Sequence, residues 1–254
     1  MKIKVVGSAI DGNSGRQFAA SYLVDRTVAI DAGSVGMISS VDEQREIKHI
    51  FISHCHIDHI ATLPMFLDNV YALGPDCPTI YGNEFLRDSL LRDVFNERLW
   101  PDLIRLSHEE SPFLKFRLLD SGDTTQVGSL SITSIELNHV VPTLGFIIED
   151  AESAVAIISD TSPTEAIWTA AAKQPKLKAV FLESAFPNSM TWLADKAGHL
   201  TPEMFRQEYS KLGRDVPVIA VHIKPAFFEE VVGDLQALNL SQLTISKPNT
   251  SYEF

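Results

Sequence analysis

The sequence predicts an α+β fold in which β-sheets are stacked inside layers of helices. Short runs rich in Val, Ile, Phe and Thr, bounded by polar residues, Gly or Pro, have the character of strands throughout the chain. Segments with a helical pattern lie between and after them. Because two strand-rich groups are each followed by helices, we expect sheets covered on their outer faces by helical layers.

The individual elements follow from these patterns. The predicted strands comprise residues 3–6, 20–24, 27–30, 48–53, 113–118, 130–138, 145–149, 154–159, 179–183 and 218–221. The predicted helices comprise residues 83–95, 163–172, 202–212 and 226–237. In two of them a hydroxyl residue, a proline and an acid mark the N-terminus, at Ser162-Pro163 with Glu165 and at Thr201-Pro202-Glu203.

The composition is that of a folded, acidic protein. Of 254 residues, 45% are hydrophobic and 21% are charged, and the formal net charge is −12. These values exclude a disordered, collagen-like or disulfide-rich chain, and we expect one domain over residues 1–254. An acidic chain binds a phosphate backbone poorly, so no polymeric nucleic acid partner is expected. A small anionic substrate remains compatible, because a metal ion can supply positive charge locally.

Cysteine content and hydropathy predict a cytoplasmic protein. Cys55 and Cys77 suit a reducing compartment better than a disulfide framework. No run approaches the roughly 18 apolar residues of a membrane span, and the first residues lack the long apolar stretch and cleavage site of a secretory signal. We therefore expect no membrane partner, while a homodimer is compatible with the sequence.

One segment has the composition of a metal site. His54, His56, Asp58 and His59 lie within six residues directly after a predicted strand. Strand alternation would point His54 and His56 to one side and Cys55 to the other, and a turn after His56 would bring Asp58 and His59 to the same cavity. Imidazole and carboxylate suit zinc, manganese and iron. Because burial without a metal would leave these groups unpaired, we expect a metal site, with Cys55 as a packing residue.

The pattern His54-x-His56-x-Asp58-His59 after a strand resembles the signature of the metallo-β-lactamase superfamily. His139, Asp160 and His222, each at the end of a predicted strand, match the other ligand positions of that superfamily in order. The resemblance implies a four-layer αββα sandwich and two divalent metal ions, zinc in the first place, with manganese or iron as alternatives. It implies that one metal is held by His54, His56 and His139, that the other is held by Asp58, His59 and His222, and that Asp160 bridges the two.

Within the superfamily, the chain is similar to the class II cyclic nucleotide phosphodiesterases. The similar segments are residues 21–25, 30–34, 182–188, 198–202 and 221–225. One departure is Thr62, where the family usually has a small residue. The resemblance implies hydrolysis of 3′,5′-cyclic AMP or cyclic GMP to the 5′-nucleotide, through attack by a hydroxide generated at the two metals.

The same resemblance implies roles for residues outside the ligand set. His199 is the candidate acid for the leaving oxygen and Glu183 the residue that orients it, with loop hydrogen bonding or capping as the alternative for both. Asp58 is expected to be catalytic as well as a ligand. Phe186 and Asn188 are expected to contact the substrate, although a core position is an alternative for Phe186.

Weaker interpretations concern three further features, each with a structural alternative. They are Trp192, which could stack on a base, Asp31, which could support the ligands or cap a turn, and Gly12 to Gly15, whose backbone could bind phosphate or form a plain turn.

Other functions compatible with the ligand set remain open. A glyoxalase II-like thioesterase shares all seven ligands, and the segments around Glu183 and His199 count against it. A tRNA 3′-processing nuclease would need a basic arm, which is absent here. A β-lactamase would have Cys or His in place of Asp160. The non-enzymatic alternative is an inactive metal-binding scaffold.

Overall fold

The fold is described from a computed structural model, which places residues 1–8, 15–107 and 110–254. Within these ranges the strands form two seven-stranded sheets. The first sheet has the order β14-β1-β2-β3-β4-β5-β6. Its strands are β1 (Lys2–Val5), β2 (Tyr22–Val24), β3 (Val28–Ile30), β4 (His49–Phe51), β5 (Thr79–Gly82), β6 (Lys115–Leu118) and β14 (Ser251–Glu253). From β3 to β6 neighbouring strands are parallel, and the remaining pairs are antiparallel.

The second sheet has the order β13-β12-β11-β10-β9-β8-β7. Its strands are β7 (Thr124–Val127), β8 (Leu130–Leu137), β9 (Thr143–Glu149), β10 (Ala154–Ile158), β11 (Leu177–Glu183), β12 (Val218–Val221) and β13 (Leu243–Ile245). From β10 to β13 the strands are parallel. Because β8 and β10 both pair antiparallel with β9, they run in the same direction and end at the same edge of the sheet.

Helices cover the outer faces of both sheets. The α-helices are α1 (Val41–Glu46), α2 (Ile57–Ile60), α3 (Leu63–Val70), α4 (Glu84–Ser89), α5 (Leu103–Leu106), α6 (Ala166–Ala172), α7 (Thr191–Ala197), α8 (Pro202–Ser210) and α9 (Phe228–Ala237). A π-helical turn, Leu90–Val94, follows α4, and 3₁₀ turns lie at Val35–Met37, Asn188–Met190 and Pro225–Phe227.

The alternation of side chains along the strands separates the core between the sheets from the outer core of each sheet. Phe51 of β4 and Phe181 of β11 point between the sheets, where they join the core that also contains Phe146. Their neighbours point outward: Ile50 packs in the core beneath α3, and Val180 in the core beneath α6, α8 and α9. Buried side chains on both faces require cover on both faces. The expected four-layer αββα sandwich is therefore confirmed.

The structure differs from the sequence prediction in that several elements, among them β5, β7, α3 and α5, were not predicted, and some predicted elements begin or end elsewhere. Thr201 caps α8 as expected, with its Oγ1 accepting from the Met204 N–H. The other motif does not start a helix at Pro163, since α6 begins at Ala166. The Ser162 N–H donates instead to the Asn138 carbonyl and the Thr164 N–H to the buried Glu208 carboxylate. Tertiary hydrogen bonds have replaced the expected helix cap.

No helix in the described ranges is both long enough and apolar enough to cross a membrane.

Candidate metal centre

The seven predicted ligands lie where strands of both sheets end. His54 and His56 follow β4, and Asp58 and His59 lie on the short helix α2. The other three follow strands of the second sheet: His139 follows β8, Asp160 follows β10 and His222 follows β12. Strand β4 ends at Phe51, so His54 and His56 are placed by an extended loop and not by strand alternation. Cys55 packs against the outer core of the first sheet, as expected.

Within the described ranges the structure brings these residues, together with His199, into groups that could each hold a metal ion. In every group the ligand atoms lie within 4.8 Å of one another. The groups are His54, His56, His139 and Asp160; Asp58, His59 and His222; and Asp160, His199 and His222. Asp160 lies centrally, with Oδ2 at 3.3 Å from His59 Nε2 and Oδ1 at 3.4 Å from His222 Nε2. The first two groups contain the two ligand sets that the sequence predicts, and the third joins Asp160 and His222 to His199, which was not predicted as a ligand.

Hydrogen bonds on the remote nitrogens fix which ring atoms face the cluster. His59 Nδ1 lies 2.8 Å from Asp31 Oδ2, and His139 Nδ1 lies 2.7 Å from the Gly198 carbonyl oxygen. A carboxylate and a carbonyl only accept, so both Nδ1 atoms donate, and Nε2 is the ring atom that a neutral imidazole would offer to a metal. His54 Nδ1 is similarly bound to Ser53 Oγ at 2.9 Å, and Ser53 Oγ donates to Asp31. Asp31 therefore contacts the predicted ligand His59 directly and the predicted ligand His54 through Ser53.

Several buried atoms in the cluster lack a partner, which tests whether a cation fits. His54 Nε2, His59 Nε2 and Asp160 Oδ1 are buried without any hydrogen bond. An unpaired buried polar atom is costly, and three that converge are what a bound cation would satisfy. The cluster is therefore suited to a divalent metal ion.

Burial and neighbouring charges shift the pKa values of these groups toward the forms that bind a cation. Burial lowers the pKa of His139 to about 4 and that of His222 to about 3, which keeps both imidazoles neutral as metal ligands must be. For Asp58, burial raises the pKa, but the electrostatic interactions with His59, His222 and Lys224 together outweigh burial and lower the pKa to about 2. Asp58 is therefore anionic at neutral pH.

Close backbone approaches position two of the ligands. A Cβ at Gly33 would lie 2.0 Å from the Asp58 carbonyl oxygen, so only glycine lets this loop reach α2. Gly198 has a φ of +75°, and a Cβ there would lie 2.7 Å from His139 Nδ1. Two other cluster residues, Asp31 and His222, have positive φ values of 61° and 55°. Such strain is typical of a functional site.

Glu183 and His199 form a buried pair at the edge of the cluster. Glu183 Oε1 lies 2.8 Å from His199 Nδ1, and His199 Nε2 lies 3.9 Å from Asp160 Oδ2. Burial lowers the pKa of His199, but the Glu183 carboxylate outweighs it and raises the pKa above its usual value. The pair therefore holds a protonatable imidazole next to Asp160, in the arrangement expected for a general acid and its orienting carboxylate.

Of the residues predicted to contact the substrate, Phe186 lies beside the metal-ligand cluster, whereas Asn188 and Trp192 are exposed. Phe186 is buried and its ring centroid lies 5.6 Å from that of His199, so it lies beside the cluster and also in a small apolar core. Asn188 is exposed, and its side-chain oxygen accepts from the Glu203 N–H. Trp192 is exposed, with the Lys196 ammonium over its ring. Of the segment from Gly12 to Gly15, residues 12–14 lie outside the described residues.

Sequence reasoning missed Lys224. Its Nζ lies 3.1 Å from Asp58 Oδ2 and 3.1 Å from His222 Nε2. The available signal was a basic residue two positions after a predicted ligand, in a segment already recognised as typical of the family.

The fold and the His/Asp clusters define a protein of the metallo-β-lactamase fold with a candidate metal site. The chain superimposes on yeast PDE1 with a TM-score of 0.78 at 18% identity, covering 98% of each chain. It superimposes on the metallo-β-lactamase fold protein YhfI of Bacillus subtilis with a TM-score of 0.74 at 17% identity, covering 99% of each chain.

Sequence comparison identifies the family within this fold. Residues 34–225 match the model of the class-II cAMP phosphodiesterases. The 3′,5′-cyclic-nucleotide phosphodiesterase of Aliivibrio fischeri is 29% identical, over 86% of this chain and 78% of that protein. The chain belongs to the class-II cAMP phosphodiesterase family, which confirms the enzyme class expected from the sequence.

Proposed function

We propose that this protein hydrolyses 3′,5′-cyclic nucleotides, cyclic AMP or cyclic GMP, to 5′-nucleotides at two divalent metal ions. The observation that carries the proposal is the position of Asp160, which shares one group with His54, His56 and His139 and reaches both His59 and His222 of the other. A carboxylate common to two ligand groups supports a paired-metal site. The named activity of the Aliivibrio fischeri relative supports the substrate class.

The donor set suits zinc, with manganese or iron as alternatives. His54, His56 and His139 would hold one ion, Asp58, His59 and His222 the other, and Asp160 both. When bound, such a pair polarises phosphoryl oxygens and lowers the pKa of water. The anionic Asp58 carboxylate accepts a hydrogen bond from the attacking water and so orients it.

His199 supplies the proton that the leaving group needs. As the water oxygen bonds to phosphorus and releases one proton to solvent, the bond between phosphorus and O3′ breaks, and Nε2 of His199 protonates O3′. Glu183, hydrogen-bonded to Nδ1, holds the ring and stabilises its protonated form before the transfer. Phe186 and Asn188 are proposed to contact the nucleoside, Phe186 from its position beside the His199 ring.

Hydrolysis in ¹⁸O-labelled water tests the reaction. The metal-loaded protein is incubated with cyclic AMP, cyclic GMP, a 2′,3′-cyclic nucleotide, a thioester and a pre-tRNA. We expect a 5′-monophosphate from the 3′,5′-cyclic substrates, with one label on phosphate and none in the ribose. A 3′-monophosphate would contradict the assigned leaving group. Thioester cleavage without cyclic nucleotide turnover would favour a glyoxalase II-like function instead.

A further inference from the structure

The contacts of Lys224 hold it at the candidate metal centre and leave one N–H of its ammonium to bind a ligand. Its backbone is fixed, since the N–H donates to the Ala185 carbonyl and its own carbonyl accepts from the Phe227 N–H. The ammonium contacts Asp58 and His222, both at 3.1 Å. An ammonium has three donors, so two contacts leave one N–H for a further acceptor. With 31% of its side chain exposed, Lys224 is accessible from solvent.

The ammonium of Lys224 lies in negatively charged surroundings. The cluster contains the carboxylates of Asp31, Asp58, Asp160 and Glu183, in a chain of net charge −12. Among residues 1–8, 15–107 and 110–254, Lys224 is the one Lys or Arg that hydrogen-bonds to a predicted metal ligand. An anion that enters the cluster would therefore meet fixed positive charge from the protein at Lys224.

We propose that Lys224 is the residue that binds a non-bridging oxygen of the substrate phosphate, and that it selects anionic phosphate esters over neutral esters. This inference rests on the proposed function. The atoms that contact the ammonium, Asp58 Oδ2 and His222 Nε2, are those a metal ion would take. Once they are engaged by a metal, the flexible lysine side chain exchanges them for the phosphate oxygen. A thioester carbonyl carries no charge and gains little from this contact.

A purely structural ion pair is the alternative role, and it makes different predictions. An ion pair of this exposure would contribute little to folding, and its loss would not alter affinity for an anion. Lys176 provides a matched control, because its Nζ lies 4.0 Å from Glu149 Oε1 at 41% side-chain exposure and far from the ligand set in sequence.

The test compares the wild type with Lys224→Met, Lys224→Arg and Lys176→Met, all loaded with metal. Metal content is measured first, followed by calorimetric binding of inorganic phosphate and of 5′-AMP. We expect Lys224→Met to retain the wild-type metal content. Its affinity for both anions should fall by roughly 10- to 100-fold, the range for the loss of one hydrogen bond to a charged group. KM for the cyclic nucleotide should rise more than kcat falls. Lys224→Arg should restore much of the affinity, and Lys176→Met should behave as the wild type.

The outcomes separate this inference from the proposed function. Unchanged anion affinity and KM in Lys224→Met, or loss of a metal ion from that variant, would overturn the role of Lys224. If Lys224→Met does not fold, Lys224→Gln gives the same comparison. If the wild type binds phosphate through Lys224 but turns over no cyclic nucleotide, the proposed function fails while the anion site stands.

Discussion

Glu183 Oε1 lies 2.8 Å from His199 Nδ1, and both side chains of this pair are buried at the edge of the candidate metal centre. The same carboxylate accepts the N–H groups of Thr161, Ala185 and Leu200, at 3.0 Å, 3.1 Å and 3.3 Å. Glu183 therefore cannot rotate without breaking several hydrogen bonds. The imidazole that it holds is fixed with Nε2 toward Asp160.

This relationship predicts how activity depends on the leaving group. If His199 protonates O3′, His199→Ala should lower kcat for the cyclic nucleotide by roughly 10²- to 10⁴-fold. The loss should be much smaller for a nitrophenyl phosphodiester, whose leaving group needs no proton. Glu183→Gln should show the same dependence with a smaller loss, because the ring remains but is less basic. Steady-state kinetics on both substrates measure this, and equal losses would assign His199 to binding or folding.

The central position of Asp160 predicts an unequal effect on metal content. Asp160→Ala should lower the occupancy of both ions, since its carboxylate reaches both groups. His54→Ala should mainly affect one, because its Nε2 contributes to a single group. Elemental analysis of protein purified without chelator should approach two equivalents for the wild type. A folded wild type that binds no transition metal when supplied with it would rule out the paired-metal site.

The approach of Gly198 to His139 predicts that a single methyl group disturbs the site. Gly198 and Gly213 both have left-handed backbones, with φ of +75° and +69°. Alanine should cost about 1–2 kcal/mol of unfolding free energy at either position. Only at Gly198 would the methyl group meet a side chain, His139, whereas nothing lies within 4 Å at Gly213. Gly198→Ala should therefore also lose metal affinity, measured by competition with a chelator, and Gly213→Ala should not.

The lowered pKa of Asp150 predicts how the stability of the fold depends on pH. Burial raises its pKa, but hydrogen bonds from the Glu152 and Ser153 N–H groups and the Met1 amino group lower it to about 2. The unfolded state, with a pKa of about 3.9, binds more protons at low pH. The stabilisation by Asp150 is thus complete above about pH 4 and is lost as the pH falls through about 2.

Asp150→Asn should consequently unfold at lower urea than the wild type at pH 7, and the difference should shrink between pH 4 and pH 2. Asp42→Asn, which removes an exposed pair with Arg45, should change little at any pH. A constant difference for Asp150→Asn over this range would show that its charge is not what stabilises the fold.

Most regular elements could be predicted because their signals are local. Alternation along the strands and the hydroxyl-proline-acid motif at Thr201 depend on neighbouring residues only. Some missed elements are short: β13 and β14 have three residues each, and α1 and α7 have six and seven, so little local pattern marks them. The false helix start at Pro163 has another cause, since the Thr164 N–H is taken by Glu208, 44 residues away.

The sequence by itself determined the chemistry of the site: the ligand types, their strand-end positions and the family to which they belong. Only the tertiary structure decided which atoms meet. His56 and His139 are 83 residues apart, yet their ring nitrogens lie 3.2 Å from each other because strands of two stacked sheets end there. Lys224 reaches Asp58 across 166 residues for the same reason. Such distances depend on strand order and on the packing of the sheets, to which residues throughout the chain contribute, so no local pattern encodes them.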